Sequence, residues 1–550
     1  MTNRLHVPPP LASAVSAALA EWAAQDGTAR LWRRDARLWT GGDEARWLGW
    51  LDAVPHQQAA LHHVTDLRYF ASRDGFRDIL LLGMGGSSLC PLVLADAFGP
   101  QVGWPRLRVL DSTDPGHVTA TFEALDPRRT LVVVASKSGT TLEPAILRDA
   151  ALAWLRAGVG DRAGRHCLAI TDPGSRLEQE AVRDGFRAVV HGIASIGGRY
   201  SALSPFGLVP AALAGLDVEL LLARAAAMRE LCMPGVPAEA SPGILAGVLM
   251  AAAARTGRDK LTILASPRVA GLGLWLEQLV AESTGKQGKG IVPVAGERPG
   301  PAAVYGDDRL FVHLRLGGET PASQDAAVSA LEAAGQPVVH LALRDRYDLG
   351  AQFFLWEIAT AVAGALLGVH PFDQPDVEAA KLETRRLMEA HERGAAAGLQ
   401  GTPRLGPAFD AQLRTLLQGA GPGDYFTVLA YLPPTPAVAE PLERIRHRVR
   451  DERRVAAALG FGPRYLHSTG QLHKGGPPTG VFLLVTAEAA RDVPVPGRPY
   501  GFAAVEAAQA RGDLAVLSER GRRVLHVHLD GELAAGLAAL ETSVERVLRG

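Results

Sequence analysis

The sequence predicts an α/β protein made of two doubly wound parallel sheets plus a smaller C-terminal α/β segment. Three observations carry this. Short, wholly apolar runs such as DILLL (78–82) and LVVVA (131–135) are each bounded by turn residues. Helical segments separate them, the signature of parallel strands buried on both faces. At 550 residues the chain is also too long for a single core, so two or three domains are expected.

Residues 1–60 read as amphipathic helices rich in tryptophan (Trp22, Trp32, Trp39, Trp47, Trp50) that pack onto a later domain. The first doubly wound domain spans 61–235, with strands in DILLLGMGG (78–86), LRVLDST (107–113), LVVVASKSG (131–139) and CLAITDP (167–173). The second spans 236–400. Its strands are KLTILASP (260–267), RLFVHLRL (309–316) and PVVHLALR (337–344), and its helices include WLEQLVAEST (275–284) and FFLWEIATAVAGALLG (353–368). The third segment, 401–550, has strands FTVLAYL (426–432), VFLLVT (481–486) and RRVLHVHL (522–529), and a long helix over 441–459. A linker is expected at 391–407. The most apolar helix, GILAGVLMAAAA (243–254), is too short to span a bilayer and reads as core.

Hydrophobic residues make up 47% of the chain and charged ones 21%, with a net charge of −1. That balance gives no general attraction to nucleic acid or membrane, so any anion must be held by a local site. Cys90, Cys167 and Cys232 have neither a disulfide framework nor metal-ligand spacing, which fits a reducing, cytoplasmic setting. The N-terminal MTNRLHVPPP has no apolar signal core.

Ligands of open α/β sheets bind beyond the carboxyl ends of the strands. Two such ends in the first domain carry glycine and hydroxyls. LLLGMGGSSL places Gly83, Gly85 and Gly86 after a strand and Ser87 and Ser88 at a helix start, where free amides favour an anion. SKSGTT adds Ser136, Lys137, Ser138, Thr140 and Thr141. The competing explanation is plain helix capping. GMGGSS lacks the spaced third glycine of a dinucleotide fingerprint, and STGKQGKG is no phosphate-binding loop of the GxxxxGK[ST] type.

Further along, GIASIGGRYSALSPFGL presents Arg199 from a tight glycine loop. It either holds an anion or is a surface arginine beside a helix cap. In GLWLEQLVAESTGKQGKG, Gln278 and Glu282 share a helix face. Glu282 lies at the helix end where cations are preferred. That placement suits a general base, and an exposed Glu282–Lys286 pair is the alternative.

Five motifs, LLGMGGSS, SKSGTTLE, GGRYSALSPFGL, EQLVAESTGK and PFDQPDVEAAK, stand in the order found in glucose-6-phosphate isomerases. The chain resembles that family over essentially its whole length. It is most similar to the isomerase part of bifunctional transaldolase/glucose-6-phosphate isomerases, which share GFGPRYLHSTGQLHKGG (460–476).

The resemblance implies two sugar-isomerase domains, a sugar phosphate substrate, and neither metal nor cofactor. It implies Ser136, Lys137, Ser138 and Thr141 as a phosphate cradle, with Gly86 and Ser87 lining the sugar site. Arg199 would stabilise the enediolate, Gln278 would contact the substrate, Glu282 would be the base, and Lys381 would help open the ring. The family's ring-opening histidine has no motif match: YDLGAQFFLWE (347–357) contains none. His313, His467 and His473 are candidates, with His467 first because HSTGQLHKGG is glycine-rich and polar. A partner subunit supplies this histidine in animal-type members, so the resemblance implies a homodimer. No transaldolase region precedes Met1, which implies a free-standing isomerase or one split from a transaldolase. A dual glucose/mannose phosphate isomerase and a non-catalytic sugar-phosphate-binding regulator are the alternative functions.

Overall fold

The computed structural model describes residues 3–319, 322–392 and 404–549. The linker expected at 391–407 falls mostly outside them. Fourteen strands are present among the described residues: β1 (Arg4–His6), β2 (Asp78–Leu82), β3 (Arg106–Leu110), β4 (Thr130–Ala135), β5 (Cys167–Thr171), β6 (Ala188–His191), β7 (Lys260–Ala265), β8 (Val292–Val294), β9 (Arg309–Leu316), β10 (Val338–Leu343), β11 (Tyr425–Tyr431), β12 (Ala456–Phe461), β13 (Gly480–Ala487) and β14 (Arg523–Leu529).

They form three sheets. The first runs β3-β2-β4-β5-β6 and is parallel throughout. The second runs β1-β10-β9-β7-β8, with β1 antiparallel on its edge. The third, β12-β11-β13-β14, is again parallel. The α/β fold class read from the sequence is therefore the observed one.

The apolar runs behave as strands covered on both faces. Ile79, Leu81, Leu131, Val133 and Ala135 enter one core. Their alternating neighbours Leu80, Leu82, Val132 and Val134 enter another. Period-2 alternation, with both faces apolar, is what produces an unbroken hydrophobic run. The second core also takes in Val495, Tyr500, Phe502 and Val505 from the C-terminal segment. The third sheet packs against the second unit as well: Tyr425, Leu429 and Phe482 share a cluster with Val292 and Val294 of β8. A buried pair of arginines, Arg309 and Arg450, converges there on Glu297.

Several elements differ from the sequence expectation. The long C-terminal helix stops at Arg453, and Ala456–Phe461 is strand β12 instead of its last turn. Arg454 takes a left-handed conformation (φ 56°), which ends the helix. β6 and β8 are short edge strands whose brief apolar runs gave little signal. The N-terminal segment is not wholly helical, because Arg4–His6 adds β1 to the second sheet.

Two of the N-terminal tryptophans dock onto later parts of the chain, Trp39 beyond residue 236 and Trp32 just before it. Trp39 donates to the Ala361 carbonyl (2.9 Å) and Trp32 to that of Cys232 (2.9 Å). The most extended apolar helix is Leu349–Leu367, longer than the 243–254 stretch. The stretch Arg346–Leu367 is long and apolar enough to cross a membrane by length and composition, but 89% of its most apolar 18 residues are buried inside the protein.

Candidate active site

A cavity of about 150 Å³ opens at the carboxyl ends of β2 and β4. It gathers the residues singled out in all five motifs. Gly86, Ser87, Ser136, Lys137, Ser138 and Thr141 line it. So do Arg199, Gln278, Glu282, Lys381 and His467. Residues separated by more than 300 positions meet here because three segments of the chain converge.

The cradle side is set by backbone geometry. Gly139 has φ +68°, and a Cβ there would meet the Leu177 amide at 2.3 Å, so the turn after β4 requires glycine. Thr141 occupies the N-cap of helix Leu142–Val159, yet its side chain makes no capping bond. Capping therefore does not account for this hydroxyl. Ser138 and Thr140 share a hydroxyl–hydroxyl bond of 2.7 Å. Lys137 departs from the simple picture of a cation aimed at a phosphate. Its ammonium donates to Asp172 (3.0 Å) and to the Ile193 carbonyl (3.3 Å), which occupies two of its three N–H groups.

The wall that bears Arg199 depends on a close approach of two glycine loops. A Cβ on Gly86 would lie 1.9 Å from the Gly198 carbonyl oxygen. The loop at 85–87 can thus touch the loop bearing Arg199 only without a side chain. Arg199 is buried, contrary to the surface-arginine alternative. Nε donates to Ser283 (2.9 Å), Nη1 to Gln374 (3.0 Å), and Nη2 to the carbonyls of Pro371 (2.9 Å) and Asp373 (2.7 Å). Nη1 also stands 3.1 Å from Glu282 Oε1. Four hydrogen bonds and an ion pair thus hold this positive charge in place.

Glu282 sits in the last turn of helix Leu272–Thr284 and is 7% exposed. The exposed Glu282–Lys286 pair is not what forms. Lys286 instead binds Asp373 (2.7 Å) and the His370 carbonyl. Burial and the nearby Arg199 charge push the Lys286 ammonium down to about 7, against the pull of Asp373 and Glu282. Gln278, one turn earlier, donates to Glu282 Oε2 (3.1 Å) and to the His467 carbonyl (2.8 Å).

Of the three histidine candidates, only His467 lines this cavity. His313 lies on β9, 3.3 Å from His340. His473 is buried against Tyr425 and Phe482. The partner of His467 was not identified from the sequence: its Nε2 lies 2.9 Å from Glu143 Oε1. Burial raises the proton affinity of Glu143, but the His467 charge and hydrogen bond, its own backbone and Lys381 outweigh it and hold the carboxyl below the usual range. Gln374, the acceptor for Arg199, was also missed. Both stand inside quoted motifs, SKSGTTLE and PFDQPDVEAAK, and that position was the available signal. Among the described residues, no cluster of His, Cys, Asp and Glu is arranged to hold a metal ion.

A buried carboxylate thus stands against a fixed guanidinium in one cavity with a loop of hydroxyls and backbone amides. The family model described as phosphoglucose isomerase matches residues 70–296. A glucose-6-phosphate isomerase of Thermus thermophilus is 32% identical over 390 residues, covering 63% of this chain and 91% of that protein. The enzyme of the same name from Rubrobacter xylanophilus is 33% identical over 383 residues, covering 60% and 86%. Among solved structures, a hypothetical protein from Thermus thermophilus superposes with TM-score 0.60 at 28% identity, over 70% of this chain and 99% of that one. A glucose-6-phosphate isomerase from Chlamydia trachomatis has TM-score 0.53 at 22% identity, over 61% and 74%, and shares the fold. The chain belongs to the phosphoglucose isomerase family of aldose–ketose isomerases.

Proposed function

We propose that the chain interconverts D-glucose 6-phosphate and D-fructose 6-phosphate through an enediolate, in glycolysis and gluconeogenesis. The observation that carries this is the Glu282–Arg199 pair in one cavity with the 136–141 cradle. The phosphate takes the hydroxyls of Ser136, Ser138 and Thr141 and the amides around them. Ser87 and Gly86 face the sugar. His467, steadied by Glu143, and Lys381 move the proton between ring oxygen and O1 that opens the ring.

Glu282 then removes the C2 proton and returns it to C1. The charge left on the enediolate oxygens lies beside Arg199. A guanidinium already locked by its own hydrogen bonds needs no reorganisation as that charge develops, which is the condition for strong electrostatic stabilisation. A non-catalytic binder would have no use for a buried carboxylate on that cation.

The test is isomerisation of glucose 6-phosphate by the purified chain, followed with a coupled dehydrogenase that reads only one sugar phosphate. Activity should be present and mannose 6-phosphate should be turned over at least 100-fold more slowly. Equal rates on both would establish the dual specificity instead, and binding without turnover would establish the regulator.

A further inference from the structure

His467 lines the cavity and is held by Glu143, which does not line it, and something must fix Glu143 in turn. Glu143 Oε1 receives a second donor, Gln509 Nε2, at 2.7 Å. Gln509 is 2% exposed, sits in helix Phe502–Glu519 of the C-terminal segment, and does not line the cavity. Its Oε1 accepts from the Thr113 hydroxyl at 2.7 Å. An ionised carboxylate can only accept hydrogen bonds, so the amide nitrogen must face Glu143 and the amide oxygen Thr113. Thr113, 3% or less exposed with its neighbours Asp111 and Ser112, follows β3 in the first domain.

Resting on the isomerase reading of the site, we propose that Gln509 is a positioning residue. It holds the Glu143 carboxylate so that Glu143 aims the His467 imidazole at the sugar ring, with Thr113 fixing the amide. The C-terminal segment thereby supplies both the imidazole and the brace behind its carboxylate. Arg464, three residues before His467, adds a bidentate pair to the buried Asp111 (2.6 and 2.7 Å) that fastens the same loop to the first domain. The segment completes the site within one chain, in place of the histidine that the resemblance assigned to a partner.

A brace of this kind acts on ring opening and leaves phosphate binding alone. Gln509→Leu keeps the volume and removes the donor. It should lower kcat on the cyclic substrate at least tenfold and displace the limb of the kcat/KM pH profile. It should leave the Kd for glucitol 6-phosphate, an open-chain probe with no ring to open, within twofold of the parent. Thr113→Val, a one-hydroxyl change that spares the fold if Gln509→Leu does not, should move kcat and the pH limb in the same direction by a smaller factor. A kcat within twofold of the parent in both variants would overturn the role. So would parallel losses of kcat, glucitol 6-phosphate affinity and melting temperature with an unmoved pH limb. Absence of isomerisation by the unmutated chain would overturn the function and this role together.

Discussion

Replacing Arg199 by methionine removes the cation paired with Glu282, and the structure sets the size of the effect. The two charges are 3.1 Å apart with side chains 3% and 9% exposed. At an effective dielectric of about 20, their attraction is about 5 kcal/mol. Breaking a buried pair by removing one member costs about 3–5 kcal/mol, because the remaining charge is left buried. The Pro371 and Asp373 carbonyls lose their donors too, at about 1.5–3 kcal/mol each for bonds to a charged group, though these losses are not additive with the first. Arg199→Met should therefore destabilise the chain by about 3–5 kcal/mol in guanidinium unfolding. Its kcat should fall roughly 100- to 1,000-fold, as for loss of an oxyanion donor. The decisive comparison is the double variant. Arg199→Met with Glu282→Gln leaves no stranded charge, so most of the stability should return while activity stays lost. If Arg199→Met costs the same with or without Glu282→Gln, the pair does not carry the charge balance of the site.

Two further outcomes follow from the same geometry. Gly86→Ala forces a Cβ against the Gly198 carbonyl, with a backbone atom on each side unable to yield. A loss of about 1–3 kcal/mol is expected, with a lower kcat as the Arg199 loop is pushed away. Gly197→Ala is the control, since a Cβ there meets nothing nearer than 4.0 Å at φ −67°, and its stability and kcat should match the parent. The second outcome concerns Glu277, whose carboxyl burial pushes up to about 7. Between the ordinary carboxylate value and 7 the folded chain holds this proton and the unfolded chain does not, so the residue's contribution to stability falls as pH rises through that window. Glu277→Gln should match the parent below pH 4.5 and exceed it in unfolding midpoint above pH 7; a difference independent of pH would contradict the assignment.

Most of the site was legible because its parts are local. A strand that ends in glycine and hydroxyls announces a loop built to meet a ligand, and Glu282 stood out as an anion at the wrong end of a helix. Burial was not legible. Arg199 reads equally well as a surface residue until the carbonyls of Pro371 and Asp373 are brought to it by the fold. The pairing of His467 with Glu143 spans 324 residues, and Gln509 lies in AAVEAAQARG, an ordinary alanine-rich helix with no motif around it. Strand β12 was hidden by the same composition. VAAALGF follows a basic helix and has the residues of its continuation, and it becomes a strand because β11 offers it a parallel partner and the small Ala456 and Ala457 fit the buried space there. The three-residue strand β1, exposed and polar, carries no periodicity at all.

In the proposed reaction Glu282 carries a proton between C2 and C1. This transfer is tested most directly by running the reaction from glucose 6-phosphate in deuterium oxide and reading C1 of the fructose 6-phosphate by NMR. Deuterium should appear at C1 with the parent chain. With Glu282→Gln, whose amide still fits beside Arg199, both isomerisation and label should fall at least 1,000-fold. Labelled product formed by Glu282→Gln at a rate near that of the parent would show that another group moves the proton.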